Sequence, residues 1–168
     1  VRDEFNSVAY SGNDGTASWT SDWQELGEAD GASLGHVEVR TAGSVVEGPY
    51  LAIDLSILGT GISRQVDLSS ATSATLSFVY EQNTSSAGGQ IVLEAFDGVS
   101  WNTLQTYNIN SDFYVGTVGV SQSFDISASA DASSKIRFRT PEAATGDEIY
   151  LDNLQIEYTS VLGTGGST

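Results

Sequence analysis

The chain contains no cysteine and no methionine, one histidine, two prolines and only six lysines and arginines in 168 residues. Each scarcity closes a class of chemistry. Without cysteine there is no disulfide, no thiolate zinc site and no thiol nucleophile. A histidine-rich metal centre cannot be built on His36 alone. A serine triad would also have to rest on that one residue, and no Gly-x-Ser-x-Gly signature accompanies it. No Gly-rich loop followed by Lys and Ser/Thr is present to cradle a phosphate. No run of about 18 apolar residues occurs, so nothing in the sequence reads as a membrane span. The opening residues are acidic and mixed rather than basic and then apolar, which reads as a signal peptide that is absent or already removed.

The 22 aspartates and glutamates leave a formal net charge of −16 and a pI near 4.1. A phosphate backbone is a poor partner for such a chain, because binding it requires cations that displace its counterions; nucleic acid is excluded as a ligand. Two uses for the acidity stand side by side. One is solubility by self-repulsion in a secreted or saline setting. The other is divalent-cation binding, since crowded carboxylates are relieved by an ion such as calcium. The Lys-poor, Ser/Thr/Gly-rich composition points to an extracellular protein.

This length suits one domain, able to bury about 70 % of its unfolded surface. Short apolar runs alternate with turn residues, 18 of them glycine, and no window keeps the helical i, i+3, i+4, i+7 pattern for three turns. Period-two alternation is clear over 75–80, 91–96, 135–139 and 149–156, and weaker over 36–40, 50–55, 62–68, 101–107 and 119–126. That gives about nine strands. Evenly spaced strands with one apolar face predict an all-β, antiparallel two-sheet jelly-roll β-sandwich, because each sheet needs its apolar face covered. Asp97-Gly98-Val99-Ser100 reads as a tight hairpin turn, with Gly98 free to take positive φ. Lys135, Arg137 and Arg139 put half of all positive charges on one face of one strand. Either they guard a sheet edge against pairing, or they contact an acidic sugar or other anion. Residues 161–168 have linker composition, so the module is expected over 1–160.

The chain's two ends carry its main metal signal. If the opening Asp3-Glu4-Phe5-Asn6 pairs with the closing strand Tyr150-Leu151-Asp152-Asn153-Leu154-Gln155-Ile156, then Asp3, Glu4 and Asp152 meet as oxygen ligands for a hard cation. Glu25, Glu28 and Asp30 offer a second group of oxygen donors without the spacing of an EF-hand loop. For ligand binding, Tyr50 beside Pro49, Tyr114 in the loop-like 110–117 and Trp23 supply rings that could stack on sugar faces. The competing reading for Trp19, Trp23 and Trp101 is burial in the core. No pair of acids has a recognisable glycosidase arrangement, and no catalytic residue is assigned.

Taken together, Asp3-Glu4-Phe5-Asn6, Tyr10 with Asn13-Asp14-Gly15-Thr16, Trp19, Trp23 and Glu25, Arg64-Gln65-Val66-Asp67-Leu68-Ser69, Ile136-Arg137-Phe138-Arg139 and the closing strand resemble bacterial secreted jelly-roll accessory modules. These are the calcium-stapled carbohydrate-binding-module-like and MAM-like domains of extracellular proteases and adhesins. The segment Asp97-Gly98-Val99-Ser100-Trp101 also resembles an Asp-box hairpin, a structural motif. The resemblance implies a structural Ca2+ bridging Glu4 and Asp152, with Asp3 and Asp14 beside it. It implies a non-catalytic, secreted or cell-surface module that binds a glycan or an extracellular surface protein. The alternative is a structural or self-associating subunit of an adhesin, fibre or surface array.

Overall fold

The structure, a computed structural model, describes residues 1–41, 48–83, 88–109 and 119–160. Tyr114 and the linker-like 161–168 lie outside the described residues. Among the described residues eleven strands run in the order β1 (Arg2–Asp3), β2 (Gln24–Leu26), β3 (Val37–Arg40), β4 (Tyr50–Asp54), β5 (Gly61–Gln65), β6 (Ala71–Asn83), β7 (Gln90–Phe96), β8 (Trp101–Asn108), β9 (Val120–Asp125), β10 (Lys135–Glu142) and β11 (Glu148–Ser160). A single 3-10 turn (Ser127–Ser129) precedes β10. The nine strands expected from alternation correspond to β3 through β11. The two additional ones, β1 and β2, are too short to show a period.

All pairings are antiparallel, and they form the two sheets of a jelly-roll sandwich. One sheet has the order β3-β4-β11-β6-β9, with β1 also pairing β11; the other has the order β2-β5-β10-β7-β8. The first and last strands do lie side by side, Arg2 opposite Gln155 and Asp3 opposite Leu154. One edge of β11 is shared: β4 pairs with it over Glu148 to Leu151 and β1 takes over at Leu154. Asp152 and Asn153 fall at the changeover, where the ladder to β6 also shifts register and Asn153 adopts φ 50°.

The core is built by alternate residues of both sheets. Ile136, Phe138, Leu76, Phe78, Ile91 and Leu93 are all essentially inaccessible. Phe78 meets Phe138 edge-on at 5.2 Å, and Tyr80 stacks on Tyr107 at 4.5 Å, each pair joining one sheet to the other. Trp19 and Trp23 belong to this core.

Within the same core sits an ion pair. Arg64, on the inward face of β5, donates Nη1 to Asp3 Oδ2 at 2.6 Å; the side chains are 2 % and 0 % exposed. The remaining capacity of both groups is also used. Asp3 accepts from the Trp23 indole N–H and the Phe5 backbone N–H, and Arg64 donates to the carbonyls of Ser21 and Gly12. The guanidinium lies over the rings of Trp19 and Trp23. Gly12 is required here, because a Cβ would fall 2.3 Å from Asp3 Oδ1. Phe5, at φ 50°, holds a left-handed conformation that a bulky residue rarely adopts, fixed by its N–H bond to Asp3 and its contact with Trp23.

Breaking one side of such a pair strands a buried charge. Arg64→Ala and Asp3→Ala are each expected to cost about 3–5 kcal/mol in urea unfolding, and a joint Asp3→Leu/Arg64→Met replacement to cost less than either.

Candidate functional site

The outward face of the five-stranded sheet brings aromatic, cationic, acidic and amide side chains together. Antiparallel register stacks its side chains in three rungs. The first is Gln65, Lys135, Phe96 and Trp101; the second Gln24, Ser63, Arg137, Glu94 and Thr103; the third Leu26, Gly61, Arg139, Val92 and Thr106. Strand β10 lies in the middle, between β5 and β7. Its three cations therefore guard no edge, and that reading of Lys135, Arg137 and Arg139 is corrected.

These side chains hold one another in place. Arg137 Nε bonds Glu94 Oε2 at 2.6 Å and its guanidinium lies 3.9 Å from the centre of the Trp101 ring, a cation–π contact that aligns the ring. Arg139 shares the same carboxylate at 3.0 Å. Phe96 contacts Trp101 at 5.2 Å, and Lys135 Nζ sits over Phe96. Trp101 is partly exposed rather than buried with Trp19 and Trp23, because it opens β8 on the outward side opposite Phe96.

The turn before it is set by Asp97. This carboxylate accepts from the backbone N–H groups of Val99 and Ser100 and from the Asn102 amide, and these bonds hold it well below the usual carboxylate range. The expected tight hairpin is present, with Gly98 at φ 92°.

Elsewhere the sequence-predicted residues are distributed as follows. Asp3 is committed to Arg64 and Trp23. Glu4 pairs with Arg2 at 2.9 Å, and Asp14 accepts from the Glu4 N–H and the Asn6 amide. Asp152 is 7 % exposed, and its carboxylate bonds only Asn153 among the described residues. Burial, reinforced by the charges of Glu4 and Asp3, pushes its pKa up. Glu25, Glu28 and Asp30 do come together, with one oxygen each within 4.8 Å of the others. Glu25 accepts from Tyr10 and Gly31, and Glu28 from the backbone of His36 and Val37. Trp23 is 2 % and Tyr50 1 % exposed, so neither ring offers a stacking face. Tyr50 packs on Tyr150 at 4.9 Å, on the outer side of the six-stranded sheet.

No protein-family model and no curated protein matches the sequence. Solved structures do match in fold. The CBM22-1 xylan-binding domain of Xyn10C from Paenibacillus barcinonensis is 16 % identical with a TM-score of 0.59, over 96 % of this chain and 94 % of that one. The K1 adhesin domain of Lys-gingipain from Porphyromonas gingivalis is 15 % identical with a TM-score of 0.61, over 95 % and 98 %. The xylan-binding module CBM15 is 13 % identical with a TM-score of 0.55, over 86 % and 95 %. The chain thus has the jelly-roll fold of carbohydrate-binding modules, shared by an adhesin domain.

Burial alone would raise the pKa of Glu94, but the hydrogen bonds from Arg137 and Arg139 outweigh it and hold the group below its ordinary value. The stabilisation this supplies is complete above the unfolded value of about 4.3 and is lost as pH falls through the folded one. Urea unfolding between pH 7 and pH 3 should therefore show Glu94→Gln losing less stability on acidification than the parent protein.

Proposed function

We propose that this chain is a non-catalytic carbohydrate-binding module acting outside the cell, with the outward face of the five-stranded sheet as its binding surface. The observation that carries this is the second rung and its neighbour. A partly exposed tryptophan is fixed by an arginine, and Gln24, Ser63, Gln65 and Thr103 stand in register beside it as donors and acceptors for sugar hydroxyls. A glycan chain offers apolar faces and hydroxyl edges, which is the pairing such a surface meets. The xylan-binding neighbours support the reading at the level of fold. The direct test is affinity electrophoresis against xylan and other plant and bacterial polysaccharides. Trp101→Ala is expected to weaken the retaining interaction about tenfold or more, as loss of a central aromatic anchor does, while leaving the melting temperature within a few degrees.

The adhesin-domain neighbour favours a second reading, a structural or self-associating extracellular unit. It predicts retention by no glycan and concentration-dependent oligomers in sedimentation.

A structural calcium ion is part of the first proposal. Glu4 and Asp152 fit it: Asp152 is a nearly buried carboxylate with no cationic partner among the described residues, and its charge is disfavoured by that of Glu4. Asp14 is the adjacent oxygen donor, whereas the oxygens of Asp3 serve Arg64. Glu25, Glu28 and Asp30 form the other candidate group. An acid whose folded pKa is raised destabilises the fold above its unfolded value of about 3.9, and a bound cation removes that cost. Asp152→Asn is accordingly expected to raise the melting temperature of chelator-treated protein and to abolish the gain on adding calcium. For the parent protein that gain is about 2.7 kcal/mol at a calcium concentration about a hundredfold over Kd. A melting temperature indifferent to calcium in the parent would remove the ion from the proposal.

A further inference from the structure

We propose that the glycan taken by this face is anionic, a polysaccharide bearing carboxylate or sulfate groups held by Arg137, Arg139 and Lys135. This rests on the reading of the face as the binding surface and specifies its ligand.

The charge balance is the first ground. The chain has six cationic side chains and 22 acids, yet three of those six occupy successive rungs of one central strand, and the three rungs contain a single carboxylate, Glu94. Side chains at i, i+2 and i+4 on a strand face stand about 7 Å apart, close enough to repel one another. Glu94 relieves only part of this. It engages Nε of Arg137 and Nε and Nη2 of Arg139. Both Nη groups of Arg137, Nη1 of Arg139 and the Lys135 ammonium have no hydrogen-bond partner among the described residues.

The second ground is geometry. Glu94 is 5 % exposed and lies at the base of the cluster, anchoring Arg137 through its inner nitrogen and Arg139 through Nε and Nη2. The Trp101 ring fixes the plane of Arg137 from beside it. What remains presented is the outer fork of a pre-oriented guanidinium, the donor arrangement that matches a carboxylate or sulfate in two parallel bonds. For a neutral sugar a single hydroxyl-bonding amide would serve in place of each cation. In a molecule of net charge −16, which repels anions at long range, a local excess of positive charge on one face also makes recognition depend on contact rather than on attraction from a distance.

The test is isothermal titration of the full chain with three probes: a glucuronate-bearing xylan, the same xylan with its carboxyl groups reduced to alcohols, and a sulfated polysaccharide. The proposal expects at least one anionic polymer to bind about tenfold or more tightly than the reduced xylan. It also expects that preference to shrink as NaCl is raised from about 50 mM to about 500 mM. Lys135→Gln/Arg139→Gln should lower the preference and its salt dependence in protein that circular dichroism shows to be folded, and adding Arg137→Gln, which removes the outer fork, should abolish what remains. Binding by the sulfated polymer and not the uronate one identifies sulfate as the source of charge. Equal binding of intact and reduced xylan, unaffected by salt, overturns the anionic assignment and leaves the carbohydrate-binding reading standing. Failure of the folded protein to bind any of the three probes, together with failure to bind the neutral polysaccharides of the electrophoresis test, overturns both.

Discussion

The ion pair between Asp3 and Arg64 is the interaction on which the rest of this molecule depends. Asp3 lies in a strand of two residues, too short to be held by its ladder alone, and Arg64 lies in the opposite sheet. Two charges removed from water are tolerable only when every donor and acceptor finds a partner, and here three hydrogen bonds converge on the carboxylate while three leave the guanidinium. Two tryptophan rings cover the cation. The result ties the opening segment, the closing strand it pairs with, and β5 into one unit. Because β5 is the neighbour of β10, the same bridge sets the backbone beneath the rungs of the outward sheet face.

Much of this was legible in the sequence and some was not, for identifiable reasons. Strands with several apolar residues in alternation announced themselves, and the meeting of the two ends could be read from their matched acidic and aromatic residues. The role of Asp3 could not. A carboxylate near other carboxylates reads as a cation ligand, and its partner Arg64 is distant in sequence, visible only once β5 is seen to turn that residue inward. The position of β10 was hidden for the same reason, since strand order across a sheet leaves no local trace. Tyr50 and Trp23 look like platforms by composition, but burial depends on what packs over a ring. A signal for the make-up of the outward face of the five-stranded sheet was nonetheless present: alternating cations in a chain nearly devoid of them, and a tryptophan shortly after an Asp-Gly turn.

The acidity also has a local explanation that composition does not reveal. Asp54, Asp67, Asp125 and Asp131 each accept from both the backbone N–H and the hydroxyl of a serine two residues on. In Asp54-Leu55-Ser56, Asp67-Leu68-Ser69 and Asp125-Ile126-Ser127 the residue between is buried in the core. At these three positions the Asp-x-Ser turn lies at or just beyond a strand end and sets an apolar anchor inward. The serine bonds hold Asp67, Asp125 and Asp131 below the ordinary carboxylate range. A share of the negative charge thus serves turn geometry.

The central claim, that the outward face of the five-stranded sheet receives the ligand, is tested most directly by NMR titration of isotope-labelled protein with a binding oligosaccharide. Of the indole N–H signals, that of Trp101 should move, together with backbone signals of β7 and β10, while those of the buried Trp19 and Trp23 stay in place. Shifts confined to the outer face of the six-stranded sheet, around Tyr50 and Tyr150, with the Trp101 signal unmoved, would contradict it.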